Sequence, residues 1–206
     1  PDLTDERLEN VSRFFTDNGT VKIAARVKDE DGEESAIQQL TVTVMNVAPT
    51  VTLNAAQYVI DEGQPLTLSA IAVDPAGAND PLTYTWDING DGTFGDQTQG
   101  TVTNGGGTVS FTWSQLNTLG ITDGPQTVSS LKVRVNDGDG ATADSAAATL
   151  VVNNLAPIPV IEGLVFNDSI SVAVNEGTAV SLSDPPTDPG ADTFTYHWSI
   201  TRNGQP

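Results

Sequence analysis

The sequence predicts an all-β chain of tandem repeats. Three observations carry that expectation: a long internal repeat, alternating apolar residues at strand spacing, and turn residues at short intervals. The repeat comes first, because missing one mis-assigns a fold. Arg26-Val27-Lys28-Asp29-Glu30-Asp31-Gly32 returns as Arg134-Val135-Asn136-Asp137-Gly138-Asp139-Gly140, and the stretch from Thr41 to Pro49 returns from Thr149 to Pro157. Arg26 to Arg134 and Pro49 to Pro157 are both 108 positions apart. A second set of matches ties the middle to the end: Asp61-Glu62-Gly63 with Asn175-Glu176-Gly177, Asp74-Pro75 with Asp188-Pro189, and Tyr84-Thr85-Trp86 with Tyr196-His197-Trp198. The chain therefore divides into the back half of one repeat (1–48), a complete repeat (49–156) and the front half of a third (157–206).

Each repeat reads as strands. Val21, Ile23, Ala25 and Val27 alternate, as a strand with one buried face requires, and so do Leu131, Val133 and Val135. Leu82, Tyr84, Trp86 and Ile88 alternate likewise, as do Phe194, Tyr196, Trp198 and Ile200. Trp86 and Trp198 hold one repeat position in these runs, so both are expected in a core. Gly, Asp, Asn and Pro punctuate the strands, and no stretch shows helical periodicity with caps. Short strands and frequent turns in a unit of this length fit immunoglobulin-like β-sandwich repeats, one complete and two partial. The junctions Asn46-Val47-Ala48-Pro49 and Asn154-Leu155-Ala156-Pro157 are too short and apolar for flexible tethers. Neighbouring repeats are expected to stack as a stiff rod.

Composition limits the function. Acidic residues number 27 against 8 basic ones, a formal charge of −19. That disfavours nucleic acid, whose phosphates need Lys and Arg, and anionic membrane surfaces. No apolar run is long enough to insert into a bilayer. Without cysteine there is neither a disulfide nor a thiol nucleophile. His197 is the one histidine and occupies the strand position that Thr85 holds in the previous repeat. No Gly-x-Ser-x-Gly elbow is present, and Gly105-Gly106-Gly107 has no Lys beside it to make a phosphate cradle. Carboxylate pairs are plentiful, but they fall in repeated loops. The chain is expected not to be an enzyme. It opens at Pro1 without a basic-then-apolar leader and reads as an interior piece of something longer.

The motifs resemble those of the polycystic-kidney-disease-type (PKD) domain and its bacterial cadherin-like relatives. Those matched are Ala48-Pro49, Glu62-Gly63, Asp74-Pro75, Tyr84-Thr85-Trp86-Asp87, Gly90-Asp91-Gly92, Val135-Asn136-Asp137-Gly138-Asp139-Gly140 and Thr149-Leu150-Val151-Val152. The Trp-Asp turn is longer here than in that group, and Ser199 stands in the third repeat where Asp87 stands in the second. The resemblance implies spacers and adhesive stalks of secreted or surface-anchored bacterial proteins. It also implies an extracellular or cell-surface setting, and bridging calcium between repeats.

Two kinds of calcium site are expected from the residues. The first is the turn Asp87-x-Asn89-x-Asp91-Gly92, with the Thr93 carbonyl and Asp96 completing it. Oxygens at alternate positions converge, and Gly allows the bend. The competing reading is a turn in which Asp and Asn bond their own backbone. The matching stretch Ser199-Ile200-Thr201-Arg202-Asn203-Gly204 has lost both carboxylates and is expected not to bind. The second kind lies between repeats. Sandwich topology brings Asp74, Asp80, Asp137 and Asp139 beside Asn46 at one junction. It brings Glu62, Asp123, Asn153 and Asn154 to face Asp188 and Asp192 at the other. Carboxylates crowded there repel unless a divalent cation or water separates them. The competing reading is solvated loop acids.

The function expected is a non-catalytic structural or adhesive segment of a large extracellular protein, a rod-like spacer stiffened by calcium. Its partners would be neighbouring repeats, and other copies head to tail if two half-repeats complete each other as a filament. The alternative is an accessory module binding a glycan or a surface protein. Exposure of Trp113 and Tyr58 on one patch would favour it, although Trp113 is expected to cover a sheet face.

Overall fold

The computed structural model describes residues 12–98, 100–103, 106–161 and 174–201. Its centre is a sandwich of two sheets built from nine strands: β3 (Thr50–Leu53), β4 (Gln57–Asp61), β5 (Leu66–Val73), β6 (Thr83–Asp87), β7 (Thr101–Thr103), β8 (Thr108–Phe111), β9 (Gln126–Asn136), β10 (Thr142–Asp144) and β11 (Ala148–Asn153). One sheet runs β3-β5-β8-β7. The other runs β10-β9-β11-β4, with β6 also on β9. Every pairing is antiparallel except β4 on β11, which is parallel from Gln57↔Thr149 to Asp61↔Asn153.

The alternation read from the sequence becomes the core. Leu66, Leu68 and Ala70 of β5 point inward, toward Val109 and Phe111 of β8, Trp86 of β6, and Val133 and Val135 of β9. Trp86 is fully buried and its indole N–H donates to the Gly106 carbonyl at 3.2 Å, so burial leaves no polar atom unpaired. Strand β9 keeps both Val128 and Leu131 inside, which strict alternation forbids. The register against β11 shifts between Ala148 and Leu150, and the bulge resets the face.

Two expectations need correction. A short helix, α1 (Trp113–Thr118), follows β8. It is held by a capping box in which the Thr112 hydroxyl accepts from the Gln115 N–H and the Gln115 side chain accepts from the Thr112 N–H. Six residues are too few for a periodic signal. The run Phe194–Ile200 forms no strand, and Trp198 is 49% exposed. The β5, β8 and β9 side chains that enclose Trp86 have no counterparts packed on Trp198 among the described residues.

On the amino-terminal side, β1 (Gly19–Ala25) pairs with β2 (Gln38–Val44) from Gly19↔Val44 to Ala25↔Gln38. On the carboxy-terminal side, Ile158 and Thr187 form an isolated bridge. No helix of the described residues is long and apolar enough to cross a membrane.

Candidate metal centres at the two ends of the sandwich

The turn after β6 closes on itself. Asp87 is buried. Its Oδ1 accepts from the Gly90 N–H at 2.8 Å and its Oδ2 from the Gly92 N–H at 2.9 Å. Gly90 and Gly92 sit at φ +72° and +87°, a region other residues rarely adopt, and that conformation lets both amides reach Asp87. Asp96 Oδ2 accepts from Ile88 N–H at 2.8 Å, and Asp91 Oδ1 from Thr93 N–H at 2.7 Å. The Asn89 amide donates to Asp91 Oδ2 and its oxygen accepts from Asp91 N–H. Burial pushes Asp87 above the ordinary aspartate value despite the two amides, whereas the Thr93 amide and then Asn89 hold Asp91 below it. The expected ligands Asp87, Asn89, Asp91, Thr93 and Asp96 thus form a turn that uses its own backbone donors. Of the control stretch, Arg202, Asn203 and Gly204 lie outside the described residues.

The junction acids are arranged differently. At the amino-terminal end, carboxylate oxygens of Asp17, Asp80 and Asp139 all lie within 4.8 Å of one another. Asp80 is 3% exposed and Asp74 8%, and each has an Oδ2 without any hydrogen-bond partner. Asp74 Oδ1 accepts from the Ala76 N–H at 2.8 Å, an Asx turn that fixes the carboxylate. Asp137 is buried beside them. It accepts from Asp139 and Ala141 amides on Oδ1 and from the Asn46 side chain on Oδ2 at 2.7 Å, which holds its pKa down. Asn79 donates to the Thr16 carbonyl at 2.9 Å. With its amide nitrogen turned toward them, Asn18 donates to Asp139 Oδ2 and Asp17 Oδ1 at 2.9 and 2.8 Å.

The carboxy-terminal end repeats the pattern. Glu62, Asp188 and Asp192 have oxygens within 4.8 Å of one another, and Asp188 Oδ2 and Asp192 Oδ2 have no partner. Asp188 Oδ1 accepts from the Gly190 N–H at 2.8 Å, matching Asp74 and Ala76. Glu62 is fully buried. One oxygen accepts from Leu155 N–H at 2.7 Å and the other from Gly124 N–H at 2.8 Å, so it ties the exit linker to the loop before β9. Asp123 shares the Gly124 amide at 2.9 Å. The close approach needs glycine: a Cβ at Gly190 would stand 2.5 Å from Glu62 Oε2 and 2.6 Å from Asp123 Oδ1. Trp113 joins this end, its indole N–H donating to the Pro189 carbonyl at 2.9 Å.

Asp80 and Asp192 have raised pKa values for the same reasons. Burial comes first, then the charges of Asp139, Asp17, Asp74 and Asp137 around Asp80, and of Asp123, Asp188 and Glu62 around Asp192. Every charge acting on these two is negative.

Most of the expected junction residues meet, but Asn153 and Asn154 do not. Their side chains turn elsewhere: Asn153 donates to Asp61 Oδ1 on the neighbouring strand β4 and Asn154 to the Leu155 carbonyl, while the Asn153 carbonyl accepts from the Glu62 N–H at 3.0 Å. Sequence reasoning missed Asp17. The signal was Thr16-Asp17 answering Thr122-Asp123, hidden by a two-residue slip in the loop spacing.

Two sheets of short, mostly antiparallel strands packed face to face define an immunoglobulin-like module. A family model described as "Bacterial Ig domain" matches residues 46–153, just over half of the chain. The chain belongs to that bacterial immunoglobulin-like family. Such domains are typically non-catalytic and are commonly found in surface or extracellular proteins.

Proposed function

We propose that this segment is a stiff, non-catalytic spacer of a larger surface or secreted protein, its sandwich docked end to end with its neighbours and the junctions stiffened by calcium. The supporting observation is that the flanking segments engage both ends of the sandwich through specific polar contacts. Asn46 meets Asp137, Asn79 meets Thr16, and Trp113 meets Pro189. Pro49 is buried at the entry, so the linker is packed there. A glycan-binding module would present an aromatic platform. Tyr58 and Trp113 instead pack partly against the core, and Trp113 spends its N–H on the next segment.

The absence of cysteine makes the test direct. Spin labels placed through Gln39→Cys on β2 and Thr127→Cys on β9, both exposed, report the distance between hairpin and sandwich. A stiff spacer gives one narrow distance distribution in millimolar calcium. A broad distribution there overturns the reading.

A further inference from the structure

We infer that the carboxy-terminal end of the sandwich is a selective socket: it accepts a loop of the form Asp-Pro-Gly and excludes the Asp-Pro-Ala loop that the sandwich itself carries at its other end. The module therefore docks the segment that follows it but not a second copy of itself. This selectivity rests on the spacer reading, to which it adds a rule for which neighbour fits.

The two loops are built alike. Asp74-Pro75-Ala76 and Asp188-Pro189-Gly190 make the same Asx turn, Asp74 Oδ1 accepting from the Ala76 N–H and Asp188 Oδ1 from the Gly190 N–H, both at 2.8 Å. Gly190 does not adopt a left-handed φ, and alanine makes the same turn at position 76. The turn itself has no need of glycine.

The need comes from the socket. A Cβ at Gly190 would stand 2.5 Å from Glu62 Oε2, 2.6 Å from Asp123 Oδ1 and 3.0 Å from Glu62 Cδ, all inside van der Waals contact. The end of a side chain usually swings away from such a contact, but Glu62 is held. It is fully buried, and its two oxygens accept from the Leu155 and Gly124 amides. Moving it would take the acceptor from both. The next residue is approached as closely: a Cβ at Gly63 would stand 2.6 Å from Pro189 Cβ. Pro189 thus rests on bare backbone, and the Trp113 indole N–H holds its carbonyl at 2.9 Å.

At the other end the same loop meets open space. Pro75 and Ala76 line a cavity of about 120 Å³ with Phe15, Met45 and Val47. The methyl group of Ala76 has room there and would overpack the socket, whose wall cannot retreat. One methyl group therefore sets which loop can follow the sandwich.

The test uses the 206-residue chain with spin labels placed through Thr127→Cys on β9 and Thr195→Cys in the following segment, both exposed. The labelled parent is compared with Gly190→Ala and Ala76→Gly. The parent and Ala76→Gly are expected to give one narrow distance, and Gly190→Ala a broad one. Overpacking by one methyl is also expected to speed exchange of the Trp113 indole proton about tenfold or more. The Trp86 indole proton, bonded to Gly106 inside the sandwich, is expected to exchange as in the parent. A narrow distance in Gly190→Ala overturns the inference, and so does a broad one in the parent or in Ala76→Gly. Faster Trp86 exchange in Gly190→Ala overturns it too, because the glycine would then serve the fold rather than the docking. If Gly190→Ala behaves as expected while the distance between Gln39→Cys and Thr127→Cys is broad, the spacer reading fails and the socket stands. If that distance is narrow and Gly190→Ala changes nothing, the socket fails and the spacer stands.

Discussion

The turn after β6 and the loop between β5 and β6 are both acid-rich, yet their carboxylates end up in opposite states. In the turn, Gly90 and Gly92 adopt left-handed conformations, and their amides saturate Asp87. In the loop, the Ala76 amide serves one oxygen of Asp74, and Asp74 Oδ2 and Asp80 Oδ2 are left with nothing. The supply of backbone donors, rather than the number of acids, decides whether a carboxylate cluster is self-sufficient or keeps oxygens without a partner. A glycine-punctuated turn brings its own donors. A loop pressed against a neighbouring segment loses water without gaining them.

Four measurements break or sharpen that contrast. The largest effect is expected from Asp87→Ala, which takes the acceptor from two amides of a partly exposed turn and leaves a gap at a buried position, and should cost about 1–3 kcal/mol of sandwich stability in denaturant. Calcium should not restore it. A loss that calcium does reverse would move the cation to the turn. Next comes calcium, which under the proposed function binds the folded state: it should stabilise the full chain by about 2.7 kcal/mol at a hundredfold excess over its Kd, read as a rise in melting temperature. The excess must vanish with chelator and be smaller with magnesium.

Trp113→Phe removes one hydrogen bond between segments and keeps the ring. About 1 kcal/mol is expected, felt as faster amide exchange around Pro189 and Gly190 with little change in the sandwich. A uniform loss across the sandwich would make Trp113 a core residue only.

The smallest effect is in pH. Asp87 is raised by burial, so its contribution favours folding at acid pH and is lost as pH rises through its folded value. Asp91 is lowered by the Thr93 amide, so its contribution is present near neutrality and lost as pH falls through its folded value. Side-chain carboxyl NMR should show the two titrating on opposite sides of an ordinary aspartate.

The legible parts of the molecule are those where chemistry follows spacing. Trp86 and Tyr84 at strand period in a Gly- and Asp-punctuated run specify a half-buried strand before any contact is known. The meeting of Asp74, Asp80, Asp137 and Asp139 followed from sandwich topology plus the repeat. Less was visible where one residue breaks the count. The bulge between Val128 and Leu131, the six-residue helix at Trp113, and Asp17 with its slipped loop spacing each escape a periodic reading. Trp198 shows the converse: it has the pattern of a core residue, but among the described residues no strand packs on it and it is half exposed.

The sequence by itself determined the all-β character, the repeat and the acids at the loops, because side-chain alternation and turn chemistry are local properties. Only the tertiary structure decided which acids stay unpaired. The Asp87 and Asp80 carboxylates are alike in sequence terms, one beside a turn and one in a loop. What separates them is what comes within reach: the N–H donors to Asp87 belong to Gly90 and Gly92 of its own turn, whereas folding sets Asp80 among the carboxylates of Asp17 and Asp139, distant along the chain.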